Sequence, residues 1–342
     1  MRKPVLLALA LALLATSARA ALDPGLLAGF SARAIGPAGM SGRVPAIAAV
    51  ESNPNIVYAG GAAGGVWKST NGGLTWTPIF DDQPVASIGA IAVAPSNPDV
   101  VWVGTGEGNP RNSVSVGGGV YRSLDAGRTW THLGLDKTER IDRIVVHPTN
   151  PDVAWVAALG QAWGENPERG VYKTEDGGRT WSRVLYVDPR TGAAELLIDP
   201  RNPNKLFAAM WQYRRWPWFF KSGGPGSGLY VTYDGGRAWK RYTEADGMPK
   251  GDLGRIGIAV SRSNPDVVYA TVEAAKSALV RSDDGGRSWQ TVNDRYDATR
   301  GRSTSPTSRS TPRSPTASTA WTSTSGSPTT AARASRTWSP AT

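Results

Sequence analysis

Three long stretches of the chain together supply aromatic rings, arginines and carboxylates: residues 104–119, 158–170 and 209–228. Aromatic rings pack on the apolar faces of sugars, and a few charged side chains fix a ligand's orientation. The sequence therefore predicts a binding surface for a carbohydrate or a peptide. The candidate ligand-binding residues are Glu107, Asn109, Arg111, Trp163, Glu165, Trp211, Tyr213, Arg214, Arg215, Trp216 and Trp218. The alternative is that the third stretch packs against the rest of the fold.

Carboxylates in and near these stretches are also candidate acids for catalysis. Hydrolysis of a glycosidic bond usually requires two carboxylates that face each other across the bond. Glu107, Glu165 and Glu273 are possible acids, but the sequence pairs none of them with a second carboxylate. We therefore assign no catalytic residue and expect no catalysis from this chain.

The sequence offers little for metal or redox chemistry. Its two histidines, His132 and His147, do not have the spacing of metal ligands, and there is no cysteine. We therefore predict no metal and no cofactor. Without cysteines no disulfide framework exists, so a hydrophobic core must hold the fold together.

An eight-residue motif, Ser/Thr-x-Asp-x-Gly-x-(Thr/Ser/Ala)-Trp, occurs five times, with 50 to 58 residues between successive tryptophans. A fixed long period indicates a repeat architecture. In such a motif the carboxylate accepts backbone N–H bonds, glycine supplies positive φ, and the tryptophan can be buried between neighbouring sheets. We therefore predict a structural role for these positions. They are Asn71, Asp125, Asp176, Asp234 and Asp284 at the third position, and Trp76, Trp130, Trp181, Trp239 and Trp289 at the last.

Each repeat also contains a regular series of short strands. An apolar β-branched run precedes an Asn-Pro turn, a second run follows it, and a third run precedes the motif. Four strands per unit, with no helical period, indicate an all-β fold, namely a β-propeller of four-stranded antiparallel blades. We expect about five complete blades in a truncated propeller. The Asn-Pro turns and the motifs should share one face, which leaves the three variable stretches on the opposite face, where binding is favoured.

The motif resembles the Asp-box, or BNR, repeat of sialidases, sortilin-type receptors and family 74 glycoside hydrolases. The resemblance covers Ser41–Trp289, and Ile35–Val50 is similar to the N-terminal part of exported bacterial sortilin-like or family 74-like proteins. It is specific for the fold and weak for function. In family 74 enzymes a catalytic aspartate in the first blade precedes a Gly-Gly-aromatic strand. The matching phrase here is Tyr58–Lys68, with Ala62 at the aspartate position, and the second aspartate belongs to a second propeller that this chain lacks.

The two ends of the chain differ from its body. Residues 1–20 have a basic start, an apolar run and an Ala-Arg-Ala end, which are typical of a secretory signal cleaved after Ala20. Residues 21–299 form the predicted propeller. We expect a secreted or periplasmic protein with no membrane insertion after cleavage.

The formal net charge of +10 is unevenly distributed. Of the 38 basic residues, three lie in the signal and six lie from Arg300 onward, whereas all 28 acidic residues lie between them. The body is therefore almost neutral, which removes the electrostatic case for nucleic-acid binding.

Residues 300–342 consist mainly of Ser, Thr, Pro, Ala and Arg. One interpretation is a disordered or glycosylated stalk. The interpretation that we favour is a shifted reading frame, with the tail as written disordered. When the reading frame is moved back by one base, the codons of Ser310–Thr319 can encode a sequence like Val260–Tyr269. Those of residues 328–332 can then encode a sixth Asp motif.

Three functions fit these observations. The first is an exported propeller module that binds a carbohydrate or a peptide through the face that carries the variable stretches. The second is a polysaccharide hydrolase of the family 74 type whose remaining site lies in C-terminal sequence that is missing here. The third is an assembly or stability factor that recognises a protein partner.

Overall fold

Each of the five repeats folds into a four-stranded antiparallel sheet whose strands follow one another in chain order. We call the sheets blades 1 to 5. Blade 1 consists of β1 (Ala46–Val50), β2 (Asn53–Gly60), β3 (Val66–Ser69) and β4 (Thr77–Pro78), and blade 2 consists of β5 (Ile88–Ala94), β6 (Asn97–Thr105), β7 (Val120–Ser123) and β8 (Thr131–His132). Blade 3 consists of β9 (Ile141–Val146), β10 (Ala154–Ala158), β11 (Gly170–Thr174) and β12 (Ser182–Leu185), and blade 4 consists of β13 (Thr191–Ile198), β14 (Leu206–Arg215), β16 (Gly228–Thr232) and β17 (Lys240–Arg241). Blade 5 consists of β18 (Ile256–Val260), β19 (Val268–Val272), β20 (Ala278–Ser282) and β21 (Gln290–Asn293).

This computed structural model describes residues 42–294 and two further short strands, β22 (Arg309–Ser310) and β23 (Ser318–Thr319). The predicted signal peptide and most of the tail lie outside the described residues. A fifth strand in the sheet of blade 4, β15 (Phe220–Ser222), pairs with β14. Two short 3-10 helices, Asp136–Thr138 and Glu244–Asp246, complete the secondary structure of residues 42–294. Among the described residues we find no helix with the length and the apolar character of a membrane span.

The architecture is the all-β propeller that the strand pattern predicts. The first strands of consecutive blades contact one another, from β1 through β5, β9 and β13 to β18. Side chains alternate between the two faces of a strand, and both faces of the inner strands are covered by neighbouring blades. In β6, Val101 and Val103 pack towards blade 1, whereas Trp102 packs towards blade 3. This two-sided burial explains why the second strands are continuous apolar runs.

The five Asp motifs form one repeated turn, shown here for Asp125. Ser123 donates to the Asp125 carboxylate at 2.7 Å, which in turn accepts the Thr129 N–H at 2.9 Å and the Thr129 hydroxyl at 2.7 Å. These hydrogen bonds, chiefly those from Thr129, lower the pKa of Asp125 to about 2. The Ala126 N–H donates to the Asp99 carbonyl in the Asn-Pro turn at 2.8 Å, and all five blades repeat this bond. The motif and the Asn-Pro turn of each blade therefore lie side by side on one face.

The motif tryptophans differ in burial. Trp130 and Trp181 each donate to a backbone carbonyl of the preceding blade, at Ile79 (2.6 Å) and Leu133 (2.8 Å). Trp76 is 39 % exposed and donates to Gly73 within its own turn. The expectation that each tryptophan is buried between sheets is therefore wrong for Trp76, because among the described residues no blade precedes blade 1.

The strand pair in the tail repeats the register of blade 5. Arg309 faces Thr319 and Ser310 faces Ser318, as Ala259 faces Tyr269 and Val260 faces Val268 fifty residues earlier. In addition, β22 contacts β18, the first strand of blade 5. The pair therefore occupies the place of the first two strands of a following blade.

Candidate functional site

The most aromatic of the three variable stretches is a hairpin, where the sequence suggested an irregular loop. Strand β14 continues past its blade to Arg215, and its last residues pair with β15, so that Tyr213 faces Ser222 and Arg215 faces Phe220. The turn closes with a hydrogen bond of 2.7 Å from the Trp216 N–H to the Phe219 carbonyl. We call residues 211–222 the blade 4 hairpin and residues 216–219 its tip.

The base of the blade 4 hairpin is part of the core. Trp211 is 0 % exposed and Tyr213 is 3 % exposed, and their rings stack with centroids 4.5 Å apart. They pack with Leu159 and Ala162 of the blade 3 loop. The expectation that Trp211 and Tyr213 are surface aromatics is therefore wrong, since the loop of the neighbouring blade covers them. The packing alternative applies to this half of the stretch.

The tip of the hairpin is exposed to solvent. Trp218 is 84 % exposed and Phe219 is 55 % exposed. Trp216 is half-buried, and the Arg214 guanidinium lies 4.6 Å from the centre of its ring. On the adjacent blade 3 loop, Trp163 is 40 % exposed. Exposed aromatic side chains of this size on one face favour a ligand surface.

A pocket of about 250 Å³ lies between the blade 3 loop and the hairpin. It unites four of the predicted residues, Glu165, Tyr213, Arg214 and Trp216. The complete lining is Gly164, Glu165, Arg190, Gln212, Tyr213, Arg214, Trp216, Lys221 and Gly223.

Arg190 and Lys221 line the pocket and were not predicted from the sequence. Arg190 lies in the connection between blades 3 and 4, which shares a face with the variable stretches because propeller strands alternate in direction. Topology could therefore have identified it. Lys221 lies within the third variable stretch and carried no signal of its own, because its pairing in β15 was not apparent.

Two buried arginines lie beneath this pocket. Arg169 is 0 % exposed, and it donates to the carbonyls of Leu159 (2.9 Å), Gln161 (2.6 Å) and Gly164 (3.1 Å). Its guanidinium lies 5.0 Å from the centre of the Tyr213 ring. Burial lowers the pKa of Arg169, but a guanidinium remains charged at neutral pH. Arg169 therefore shapes the blade 3 loop and leaves a positive charge under the pocket.

Arg140 is the second of these arginines and is 1 % exposed. One of its terminal nitrogens lies 3.5 Å from the Gly160 carbonyl, which also accepts the Tyr213 hydroxyl at 3.1 Å. Its Nε and its other terminal nitrogen have no hydrogen-bond partner among the described residues. Burial of a charge without a counter-charge is unfavourable. Arg140 thus adds to the positive potential around the base of the hairpin.

The predicted residues of the blade 2 loop lie apart from the pocket. Glu107 is 0 % exposed and accepts two hydrogen bonds from Arg43, at 2.8 Å and 2.9 Å, and one from Asn109 at 3.3 Å. The expectation that Glu107 is a free acid on a surface loop is therefore wrong, because a bidentate arginine holds both of its oxygens. Asn109 supports this carboxylate, while Arg111 is exposed.

Three hydrogen bonds join the blade 2 loop to the hairpin. Arg215 donates to the Pro110 carbonyl at 2.8 Å and also to the Asn112 side chain. The Asn112 amide nitrogen lies 3.5 Å from the Pro217 carbonyl in the tip. The hairpin therefore spans from blade 4 to blade 2, and Arg215 acts as its anchor on the far side.

The other carboxylates near this face are also engaged. Glu273 accepts the Ser222 hydroxyl at 2.7 Å and the Arg255 N–H at 2.8 Å. Asp142 is paired with the Arg255 guanidinium at 2.9 Å, and its burial raises its pKa. At the position where the family 74 resemblance places an aspartate, the structure has the buried methyl group of Ala62. Within residues 42–294 no group of three metal-ligating side chains lies together.

Known relatives of the chain are polysaccharide-degrading enzymes. A xyloglucanase from Paenibacillus sp. is 24 % identical over 220 residues, which are 58 % of this chain and 20 % of that protein. A probable oligoxyloglucan-reducing end-specific xyloglucanase from Neosartorya fischeri is 28 % identical over 177 residues, which are 50 % of this chain and 20 % of that protein. The chain thus spans about a fifth of the length of these relatives.

Solved structures show the same fold. The crystal structure of an ancestral GH74 enzyme matches with a TM-score of 0.59 at 22 % identity, over 83 % of this chain and 35 % of that one. Among family models, the Sortilin-Vps10 model (sortilin, neurotensin receptor 3) matches residues 64–186 and 118–246. These two matches together span residues 64–246, which is more than half of the chain. The chain therefore belongs to the Sortilin-Vps10 family of BNR-type propellers.

Proposed function

We propose that this chain is an exported propeller module that binds a polysaccharide through the blade 4 hairpin and the adjoining pocket, without cleaving it. The observation that carries the proposal is the pocket itself, which places Trp216 beside Glu165, Arg214 and Lys221. An aromatic ring beside convergent polar groups suits a sugar ring, which has an apolar face and a hydroxyl rim. The xyloglucanase relatives support a polysaccharide over a peptide.

The absence of catalysis is part of the proposal. Glu165 is the one carboxylate among the residues that line the pocket, whereas glycoside hydrolysis usually needs two. Glu107 and Asp142 are each held by an arginine, and Glu273 is held by a backbone N–H and a serine. The family 74 alternative therefore lacks a facing pair of free carboxylates among the residues that line the pocket.

Export follows from the N-terminal pattern rather than from the fold. The basic start, apolar run and Ala-Arg-Ala end of residues 1–20 predict cleavage after Ala20. Mass spectrometry of the protein secreted or released from the periplasm should give a mature N-terminus at Ala21.

Isothermal titration calorimetry with soluble xyloglucan and with other plant polysaccharides tests the binding. We expect at least one polysaccharide to bind, and Trp216→Ala combined with Trp218→Ala to remove the binding. Trp76→Ala is the matched control, because Trp76 is a partly exposed tryptophan in an Asp motif, on the other face of the propeller. Equal binding by the double variant and the wild type would refute the site. Release of reducing ends by the purified protein would refute the lack of catalysis.

A further inference from the structure

The pocket carries more positive charge than the binding of a neutral sugar would require. Three of its lining side chains, Arg190, Arg214 and Lys221, are cationic, and one, Glu165, is anionic. Asp188 lies 3.8 Å from Arg190 and offsets part of that charge. Arg214 and Lys221 are exposed and form no ion pair with a described residue. The rim of the pocket is therefore net positive.

The floor of the pocket adds charge of the same sign. Arg169 bonds to the Gly164 carbonyl and lies against Tyr213, and both of these residues line the pocket. Its Nε has no hydrogen-bond partner among the described residues, and the same is true of two nitrogens of the nearby Arg140. Buried charges are screened far less than exposed ones, so their field reaches the pocket. Three cations thus line a space that contains one free carboxylate, and the buried Arg169 lies under it.

The aromatic part of the pocket decides which anion fits. Trp216 lines the pocket, and the Arg214 guanidinium and the Phe219 ring lie 4.6 Å and 5.6 Å from the centre of its ring. A free inorganic anion would not use this ring, whereas a pyranose ring would stack on it. The nearby cations then meet a substituent of that sugar. The combination favours a sugar that carries a negative charge.

We propose that the pocket selects an anionic sugar unit, namely a pyranose with a carboxylate or a sulfate ester, in an acidic polysaccharide. This inference rests on the proposed function and makes it more specific. The sugar ring stacks on Trp216, and its anionic group accepts hydrogen bonds from Lys221 and Arg214. Charge-assisted hydrogen bonds of this kind are stronger than those between neutral groups. The ligand class therefore differs from the xyloglucan of the relatives.

Calorimetry with three oligosaccharides of equal length tests the inference. The probes are an oligogalacturonate, a sulfated neutral oligosaccharide and an unsulfated xyloglucan oligosaccharide, each measured at low and at high salt. We expect one of the acidic probes to bind at least about tenfold more tightly than the neutral probe at low salt, and to lose this advantage at high salt. Which acidic probe binds distinguishes a carboxylate from a sulfate.

Charge variants identify the residues involved. Lys221→Gln combined with Arg214→Gln should weaken binding of the acidic probe by about five- to tenfold more than binding of the neutral probe, the effect of two partly exposed charge contacts. Lys221→Gln alone should give part of this loss, and it leaves the Arg214–Trp216 contact intact. Lys221→Arg, which keeps the positive charge, should bind the acidic probe as the wild type does. Arg128→Gln is the control, because Arg128 is an exposed arginine on the Asp-motif face.

The outcomes separate this inference from the proposed function. If the neutral probe binds as tightly as the acidic probes at every salt concentration, and Trp216→Ala removes that binding, the charge inference is wrong and polysaccharide binding stands. If an acidic peptide binds and none of the oligosaccharides does, both are wrong. Equal loss of the acidic and the neutral probe in the charge variants also overturns the inference.

Discussion

At the residue scale, Trp211 and Trp218 belong to one hairpin and have opposite surroundings. Trp211 is fully buried, stacks on Tyr213 and donates its indole N–H to Ser222 at 3.0 Å, whereas Trp218 is 84 % exposed. Trp211→Ala should therefore lower the free energy of unfolding by about 3–5 kcal/mol, and Trp218→Ala by less than about 0.5 kcal/mol. Urea denaturation followed by circular dichroism measures both. Equal effects would contradict the division of the hairpin into a buried base and a binding tip.

The Asp motifs predict a dependence of stability on acid. Hydrogen bonds from Thr129 lower the folded-state pKa of Asp125 to about 2, and those from Thr180 do the same for Asp176. The folded-state pKa lies below the unfolded value near 4, so this stabilisation is complete above about pH 5 and is lost as the pH falls towards 2. Urea midpoints should change little between pH 6 and about pH 5 and should fall from there to pH 3. A flat profile would show that the motif carboxylates do not stabilise the folded state.

Asn71 provides a control for the same motif. In blade 1 its side-chain oxygen accepts the Thr75 N–H at 2.9 Å, and its amide nitrogen donates to the Thr75 hydroxyl at 2.9 Å. An asparagine can therefore replace the carboxylate in this turn. We expect Asp125→Asn to retain a higher urea midpoint at pH 7 than Asp125→Ala, and to show a weaker dependence on acid than the wild type. An asparagine variant as unstable as the alanine variant would contradict this geometry.

At the element scale, the tip of the hairpin should be separable from the blade. Residues 216–219 form the turn, and the pairing of Arg215 with Phe220 closes it. Replacing the four tip residues with Asn-Gly, which favours a tight hairpin turn, should preserve the fold and abolish polysaccharide binding. Circular dichroism tests whether the fold is preserved, and affinity electrophoresis tests whether polysaccharide binding is lost. A tip variant that still binds would place the ligand elsewhere.

The blade 4 hairpin also shows which structural features could be predicted from the sequence and which could not. The blade strands were predictable because apolar runs, Asn-Pro turns and Asp motifs are local signals that repeat. The pairing of β14 with β15 was not, because Pro217 and the glycine-rich run of residues 223–228 are typical of a loop. The burial of Trp211 depends on Leu159 and Ala162 in a different blade. The bidentate contact of Glu107 with Arg43, 64 residues away, likewise has no local signal.

At the scale of the whole molecule, the register of the tail strands β22 and β23 is relevant to the reading frame of the gene. The pairing of Ser310 with Ser318 repeats that of Val260 with Val268, which is the correspondence that the shifted codons also give. We propose that the gene encodes a further blade in the other frame. Resequencing should reveal the shift, and the restored protein should unfold at a higher temperature in differential scanning fluorimetry. The printed frame in independent clones would contradict the proposal.

The central claim, that polysaccharide binds at the blade 4 hairpin, has one direct measurement. It is a crystal structure of the protein soaked with an oligosaccharide of the best-bound polysaccharide. The account predicts a sugar ring stacked on Trp216, with a substituent within hydrogen-bond distance of Lys221 or Arg214. Sugar density on the Asp-motif face with an empty hairpin pocket would contradict it.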